Sequence, residues 1–300
     1  MIHTYGFSKT GLAHMKHNLI CQDSHRISCL DEGVCVAAVA DGLGSEIHSD
    51  IASCIAAETS VNICRETITR ESTEEQIIDV IRLAFNSSLK AIEKRVKEEG
   101  GDIEQYDTTL SLCVLYDGCL YYGHSGDSGI IALGVDGKYY NVTKQQRDDE
   151  GRVFPLCFGE QYWIIKKFDK AVSSVMLATD GIYELFFPVY LKEKEVNIYT
   201  ALAKFFMGPF DDDILNDEFE KVIESRELYI DKLPERVVDD DKTLVALIDD
   251  SIETMLQDKQ YYQEPDWNVL IREFKDEYNK KAYKNKIIVN VLIMKMTDQY

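Results

Sequence analysis

Apolar and polar positions follow three different rhythms along this chain. Val34–Ala40 (VCVAAVA) is apolar at every position, which predicts a strand buried on both faces that stops abruptly at Asp41-Gly42. Over 50–98 the period lengthens to that of helices. Ser49-Asp50 stands where a helix would be capped, and Ala52, Ile55, Ala56 and Ile63 share one face. Ser72 with Glu75 reads as a capping box ahead of a second stripe, Ile77, Ile81, Ala84, Phe85 and Ile92, ended by Gly100-Gly101. From Thr108 the period drops to two. Leu110, Leu112 and Val114 alternate with Ser111 and Cys113, Asp117-Gly118 makes a hairpin turn, and Leu120–His124 returns. Ile130–Leu133, Asp136-Gly137 and Lys138–Val142 repeat the figure, which predicts an antiparallel meander.

The remainder is coarser. A short strand opens 1–33. Residues 144–160 are polar and loop-like. Tyr162–Phe168 and Ser174–Ala178 are strand-like and lead to Thr179-Asp180-Gly181. Residues 182–238 run helical and acidic. Within them DDDILNDEFE at 211–220 fails the calcium-loop pattern, because Leu215 replaces an oxygen ligand and Asn216 stands where the tight-turn glycine belongs; a solvated acidic insert is expected. Thr243–Ile248 is another buried strand, 251–285 is charged and helical, and Ile287–Met296 is a last strand. No repeat, Pro-rich linker or low-complexity stretch divides the chain. The expected organisation is a core over 1–250, with a helical insert or flap at about 182–238, and a C-terminal extension over 251–300.

Composition narrows the function classes. Lys plus Arg number 33 against 53 Asp plus Glu, a formal charge of −20. That balance argues against broad nucleic-acid or anionic-membrane binding, which need a basic surface. Eight cysteines are scattered, mostly within apolar runs and without a C-x-x-C pair. They read as small buried hydrophobes in a reducing compartment, not as zinc ligands. The N-terminal MIHTYGFSKTG has no apolar signal core, and Ile287–Met294 is too short to span a bilayer. The expectation is a soluble, cytoplasmic monomer.

The four Asp-Gly pairs are not equivalent. Those at 117 and 136 lie between alternating strands and read as turns. Those at 41 and 180 each end an apolar run with no return strand behind it. Carboxylates at 23, 41, 127, 180 and 240 all stand beside strand-like runs, so strand ends could gather them at one edge of a fold. Such a cluster, without His or Cys partners, favours hard cations, Mg²⁺ or Mn²⁺, which would offset its self-repulsion. Two ions sharing a bridging water would lower its pKa and let it attack phosphorus. His14, Lys16 and His17 precede the first acid and could supply cations for a phosphate.

The ordered series CQDS, VADGLGS, TTL, SGDS, LATDG and DDKT resembles the PPM-type, or 2C class, metal-dependent serine/threonine protein phosphatases over about Gly11–Ile248. It is closest in pattern to the bacterial subgroup whose first motif reads H-x-K-x-x-x-x-C-Q-D, here His14 to Asp23. The resemblance implies an α+β fold, a four-layer αββα sandwich with two central antiparallel sheets flanked by helices. It implies that Asp41 bridges two metals, that the Gly42 carbonyl binds the second, and that Asp180 and Asp240 complete the first metal's shell. Asp23 would act through water; Asp127 and Glu184 match positions for a weaker third metal. Phosphorylated proteins would be the substrates, with a cognate kinase as partner. Three positions depart from the pattern. Leu43 stands where many relatives have a leaving-group His, for which His14 or metal-bound water could substitute. Asn18 replaces a phosphate-binding Arg, for which Lys16 and then His17 are nominated. Gly129 follows the GDS motif in place of Arg. Competing readings are a pseudo-phosphatase that binds phosphoproteins or a kinase without turnover, and a hydrolase of small phosphate esters.

Overall fold

The computed structural model describes residues 1–30, 33–43, 46–210, 214–215 and 218–280. Two antiparallel five-stranded sheets lie face to face. The first has the order β2-β3-β4-β5-β8, with β2 Ser24–Cys29, β3 Val34–Ala40, β4 Leu110–Tyr116, β5 Cys119–Ser125 and β8 Ile164–Lys167. The second has the order β1-β10-β9-β6-β7, with β1 Ile2–Lys9, β6 Gly129–Gly134, β7 Tyr139–Asn141, β9 Val172–Ala178 and β10 Lys242–Asp249. The α+β sandwich expected from the sequence is therefore the fold observed.

Strand β3 explains why its sequence carries no polar position. Its alternate residues Cys35, Ala37 and Val39 enter the aliphatic layer between the sheets, with Leu115, Ile130, Val175, Leu177 and Val245. Val34, Val36, Ala38 and Ala40 face the other way, into a layer shared with Ile77, Ile81, Ala84 and Phe85. That outer layer is built by α2, Ser49–Thr67, and α3, Glu74–Glu99. The start of α3 lies one residue beyond its expected place. Thr73, not Ser72, is the N-cap, and its hydroxyl and backbone exchange hydrogen bonds with Gln76. Ser72 instead accepts from Thr69 N at 3.0 Å. Helix α2 has no side-chain cap, because Ser49 is already its first helical residue and donates to Glu46 O at 3.1 Å. Gly100, at φ 76°, ends α3 as expected.

The fourth layer comes from the acidic segment. Helices α4 (Asp180–Tyr183), α5 (Thr200–Met207) and α6 (Phe219–Asp231), with the 3₁₀ turn Glu184–Phe186, bury Ile182, Phe186, Leu202, Phe206 and Ile230 against Tyr5, Phe7, Met176, Leu244 and Ala246 of the second sheet. A reading weighted by the charges of 182–238 overlooked these spaced apolar residues. Leu215, inside the supposed solvated stretch, joins the same core; residues 211–213, 216 and 217 lie outside the described residues. The first helix of the chain, α1 (Leu12–Lys16), connects β1 to the CQDS segment.

Beyond β10 the chain docks on the second sheet before forming a helix, α7, over 267–280. Met255 N donates to Val135 O at 2.8 Å and Tyr262 OH to Gly137 O at 2.7 Å. The last strand expected at 287–296 lies outside the described residues. No helix among the described residues is long and apolar enough to cross a membrane. The expectation that every cysteine is free is corrected at one place. Cys29 and Cys35 sit opposite each other in the β2–β3 register and are joined as a disulfide. Their separation of six residues spans one hairpin turn, a closeness that scattered spacing did not advertise.

Candidate metal centre

Asp41, Asp127 and Asp180 each offer a carboxylate oxygen, and the three oxygens lie within 4.8 Å of one another. Each acid ends or follows a different strand. Asp41 follows β3, Asp127 lies in the link from β5 to β6, and Asp180 lies two residues past β9. The site therefore straddles both sheets at one end of the sandwich.

The threonines of the TTL motif hold Asp41 by its backbone. Asp41 N donates to Thr109 Oγ1 at 2.9 Å, while Thr109 N and Thr108 Oγ1 donate to Asp41 O at 2.8 and 2.9 Å. Thr109 Oγ1 also meets Ser128 Oγ of the GDS motif at 3.0 Å. Three sequence motifs thus form one network, and the Asp41 carboxylate needs no hydrogen bond of its own to be placed. Gly42 is squeezed between two chains. A Cβ there would lie 2.6 Å from Ser49 O and 2.7 Å from Gln22 O, so only glycine lets the turn after Asp41 pass. Leu43 N donates to Asp107 O at 3.1 Å.

Gly129 has a reason of the same kind. A Cβ at this position would stand 2.0 Å from the Tyr183 ring. That ring is buried and tied through its hydroxyl to Asn141 Oδ1 at 2.6 Å and Thr143 O at 3.0 Å. The side chain expected after GDS has no room here.

The other predicted residues divide by what they touch. Asp23 is buried and accepts from Thr179 Oγ1 at 2.7 Å. Asp241 is buried too, and it is structural in its contacts: it accepts from Gly11 N and Gln22 N, both at 2.6 Å. His14 Nδ1 stands 3.0 Å from Asp241 Oδ2, at ion-pair distance but out of hydrogen-bond alignment. Asp240 is exposed, and its Oδ1 accepts from Asp241 N at 2.8 Å. It is not one of the three converging acids, although its charge reaches Asp41 and Asp180. Lys16 is exposed and paired with Glu235, and His17 is exposed. Glu184 lies at the rim, exposed.

Sequence reading missed Arg147. Its Nη2 lies 2.8 Å from Asp127 Oδ2, 3.1 Å from Asp180 Oδ2 and 3.2 Å from Glu184 Oε1, and its Nε donates to Asp127 Oδ2 at 3.0 Å. It sits in the polar 144–160 stretch, where no periodicity singles out a residue. A QQR triplet one hairpin after the GDS motif was the only available signal.

Burial and mutual repulsion act on Asp23, Asp41, Asp127 and Asp180. Burial pushes Asp41 well above the carboxylate range, helped by the charges of Asp23, Asp180, Asp127 and Asp240. Asp180 is pushed to about 7, first by burial and then by Asp127, Asp240 and Glu184, against the opposing pull of Arg147. Asp127 rises through burial, again opposed by Arg147. Asp23 rises through burial against the Thr179 hydrogen bond. Such a cluster takes up protons or a cation. The residues fit a cation, because Asp127 Oδ1 is buried with no hydrogen-bond partner, which a native fold does not leave without cause. All-oxygen donors with no His or Cys in the cluster suit Mg²⁺ or Mn²⁺.

Fold and site together define an antiparallel αββα sandwich with a carboxylate-lined cation centre at one end. The protein phosphatase 2C family matches residues 10–223, and the chain belongs to that family. Among curated proteins no sequence matches it. Its fold is similar to that of the serine/threonine phosphatase PstP/Ppp of Mycobacterium tuberculosis, at 20% identity and a TM-score of 0.55, covering 83% of this chain and 98% of that one. It is similar to Stp1 from Staphylococcus aureus, at 14% identity and a TM-score of 0.56, covering 83% and 95%. A bacterial serine phosphatase matches at 14% identity and a TM-score of 0.57, covering 85% and 99%. At these identities the likeness is one of fold.

Proposed function

We propose that this chain hydrolyses phosphoserine and phosphothreonine esters in proteins, using Mn²⁺ or Mg²⁺. The observation that carries the reading is the meeting of Asp41, Asp127 and Asp180 within 4.8 Å, in a member of the phosphatase 2C family. Asp41, the Gly42 carbonyl, Asp180 and Asp240 would hold two ions, with Asp23 acting through water; Asp127 and Glu184 would serve a third. Ions bound there supply Lewis acidity and a nucleophile at neutral pH. The chain's own residues do the placing. Thr108 and Thr109 fix the Asp41 backbone, and Thr179 orients Asp23. Lys16, then His17 and His14, are the cations nominated to meet substrate phosphate, which a phosphoester needs near the reaction centre.

The test is phosphate release from a phosphothreonine peptide with Mn²⁺ and with EDTA, for the native protein and Asp180→Ala. Mn²⁺-dependent release that the variant loses is the expected result. No release across Mn²⁺, Mg²⁺ and several phosphopeptides would overturn it. A second reading, a phosphoprotein- or kinase-binding module without turnover, draws on one observation: Arg147 already offsets part of the acidic charge. Comparing phosphopeptide with small-ester kcat/KM separates a protein phosphatase from a general phosphoesterase.

A further inference from the structure

Arg147 is held in place by more than its own ion pairs. Gln146 Oε1 accepts from Gly126 N, and Gln146 N donates to Gly126 O, both at 2.8 Å. Gln145 Nε2 donates to Asp127 O at 2.9 Å. Phe154 N donates to Gln146 O at 3.1 Å, and Arg147 bridges antiparallel to Val153. Three consecutive residues, Gln145, Gln146 and Arg147, thus grip Gly126-Asp127, and the loop is tied to itself behind them. The guanidinium is delivered to the acids by a built support.

Its contacts also divide the Asp127 carboxylate into two sides. Oδ2 faces Arg147, and Oδ1 is buried with no partner. Asp180 Oδ2 and Glu184 Oε1 face the same guanidinium. A dication placed on the outer oxygens would meet a fixed positive charge at hydrogen-bond distance, and like charges at that range repel strongly. The inner oxygen of Asp127 carries no such obstacle.

We propose that Arg147 is a resident cation of the outer corner formed by Asp127, Asp180 and Glu184, so that a metal ion can bind that corner only by displacing the guanidinium. The proposal rests on the metal-dependent reading of the site. It makes the inner ions the tight ones and the outer ion weak, through competition with a side chain and not through a lack of ligands. The loop from 145 to 154 is then the element whose position reports whether the outer corner holds an arginine or a metal.

The test is Mn²⁺ binding itself, followed by calorimetric titration and by the electron-spin signal of free Mn²⁺ at low ionic strength. The proteins are native, Arg147→Gln, Arg147→Lys and Arg82→Gln, the last a control for net charge. Arg82 lies on α3, paired with Asp79 and Glu160. Arg147→Gln is expected to tighten the weakest Mn²⁺ by about tenfold, or to add one ion to the count, because a charge-assisted competitor is gone. Arg147→Lys keeps the charge and, losing the forked geometry, should fall between. It also keeps the test open should the glutamine variant fail to fold. Arg82→Gln should match native. Unchanged stoichiometry and affinities in both Arg147 variants, beside a native protein that binds Mn²⁺, would overturn this proposal alone. A native protein that binds no Mn²⁺ would overturn the metal-dependent reading and this proposal with it.

Discussion

Without metal, this protein should lose stability as the pH rises through the range where most proteins gain it. The perturbation is a change of pH from 4 to 8 in EDTA, for native protein and Asp180→Asn. Asp180 titrates at about 7 in the fold against 3.8 as its ordinary value. The direction follows from where the proton sits. Below both values the carboxyl is protonated in folded and unfolded chains alike, and it costs nothing. Between them the unfolded chain has released its proton while the folded one keeps it, so each pH unit removes about 1.4 kcal/mol of stability. Above about 7 the loss is complete. The full interval would remove about 4 kcal/mol, and the 21% exposure of the Asp180 side chain reduces this to about 2–4 kcal/mol through solvent screening. Asparagine keeps the shape and can still accept from Arg147, but it carries no charge. The assay is urea unfolding by circular dichroism at four pH values, read as native minus variant, so that the rest of the acidic surface cancels. The variant should gain on the native protein steadily from pH 4 to 7, and saturating Mn²⁺ should reverse the order above pH 7. A native protein as stable relative to the variant at pH 8 as at pH 4 would refute the reasoning.

Thr109→Val should cost about 1–3 kcal/mol in urea unfolding, because it strips Asp41 N of its buried acceptor; a change under about 0.5 kcal/mol would show that the network does not hold Asp41. Gly129→Arg, which writes in the residue expected there from the sequence resemblance, should destabilise by about 3 kcal/mol, the upper part of the overpacking range, since even its first carbon meets the Tyr183 ring. An unshifted thermal midpoint would mean that Tyr183 moves freely. Lys16→Ala should raise KM for a phosphopeptide and leave kcat near native, and an unchanged KM would remove Lys16 from the phosphate site. Its pairing with Glu235 makes the further point that Glu235→Gln should lower KM if the two compete.

What the sequence revealed, it revealed where one interaction dominates. The unbroken apolar run of β3 was legible because burial on two faces leaves little room for a polar residue; β4 was legible by its alternation, although its Ser111 is buried as well and is satisfied by His124. The acids of ADG, GDS and TDG were legible because a carboxylate ending a buried strand is costly without a reason. Arg147 was not legible. Its role depends on a loop folding back over a strand end, a contact between chain segments that no local period encodes. The helical layer over the second sheet was half legible. Its charges lie on the outside and crowd the composition, while Phe186, Leu202 and Phe206 do the packing. The capping box slipped by one residue because Ser72 and Thr73 are both competent caps, and geometry chose between them.

Asp41 follows a strand of one sheet, Asp180 a strand of the other, and Asp127 lies in a short link that passes between them. Between the sheets lies an aliphatic layer with no directional bonds of its own. A dication that takes oxygens from all three acids is therefore a rivet across a greased seam. It would add to the few polar ties that already cross between the sheets, such as Ser8 Oγ to His25 Nδ1 at 2.8 Å, so ion loss would be felt in the spacing of the two slabs as well as at the acids. In that picture the centre is as much the clasp of the sandwich as it is its chemistry.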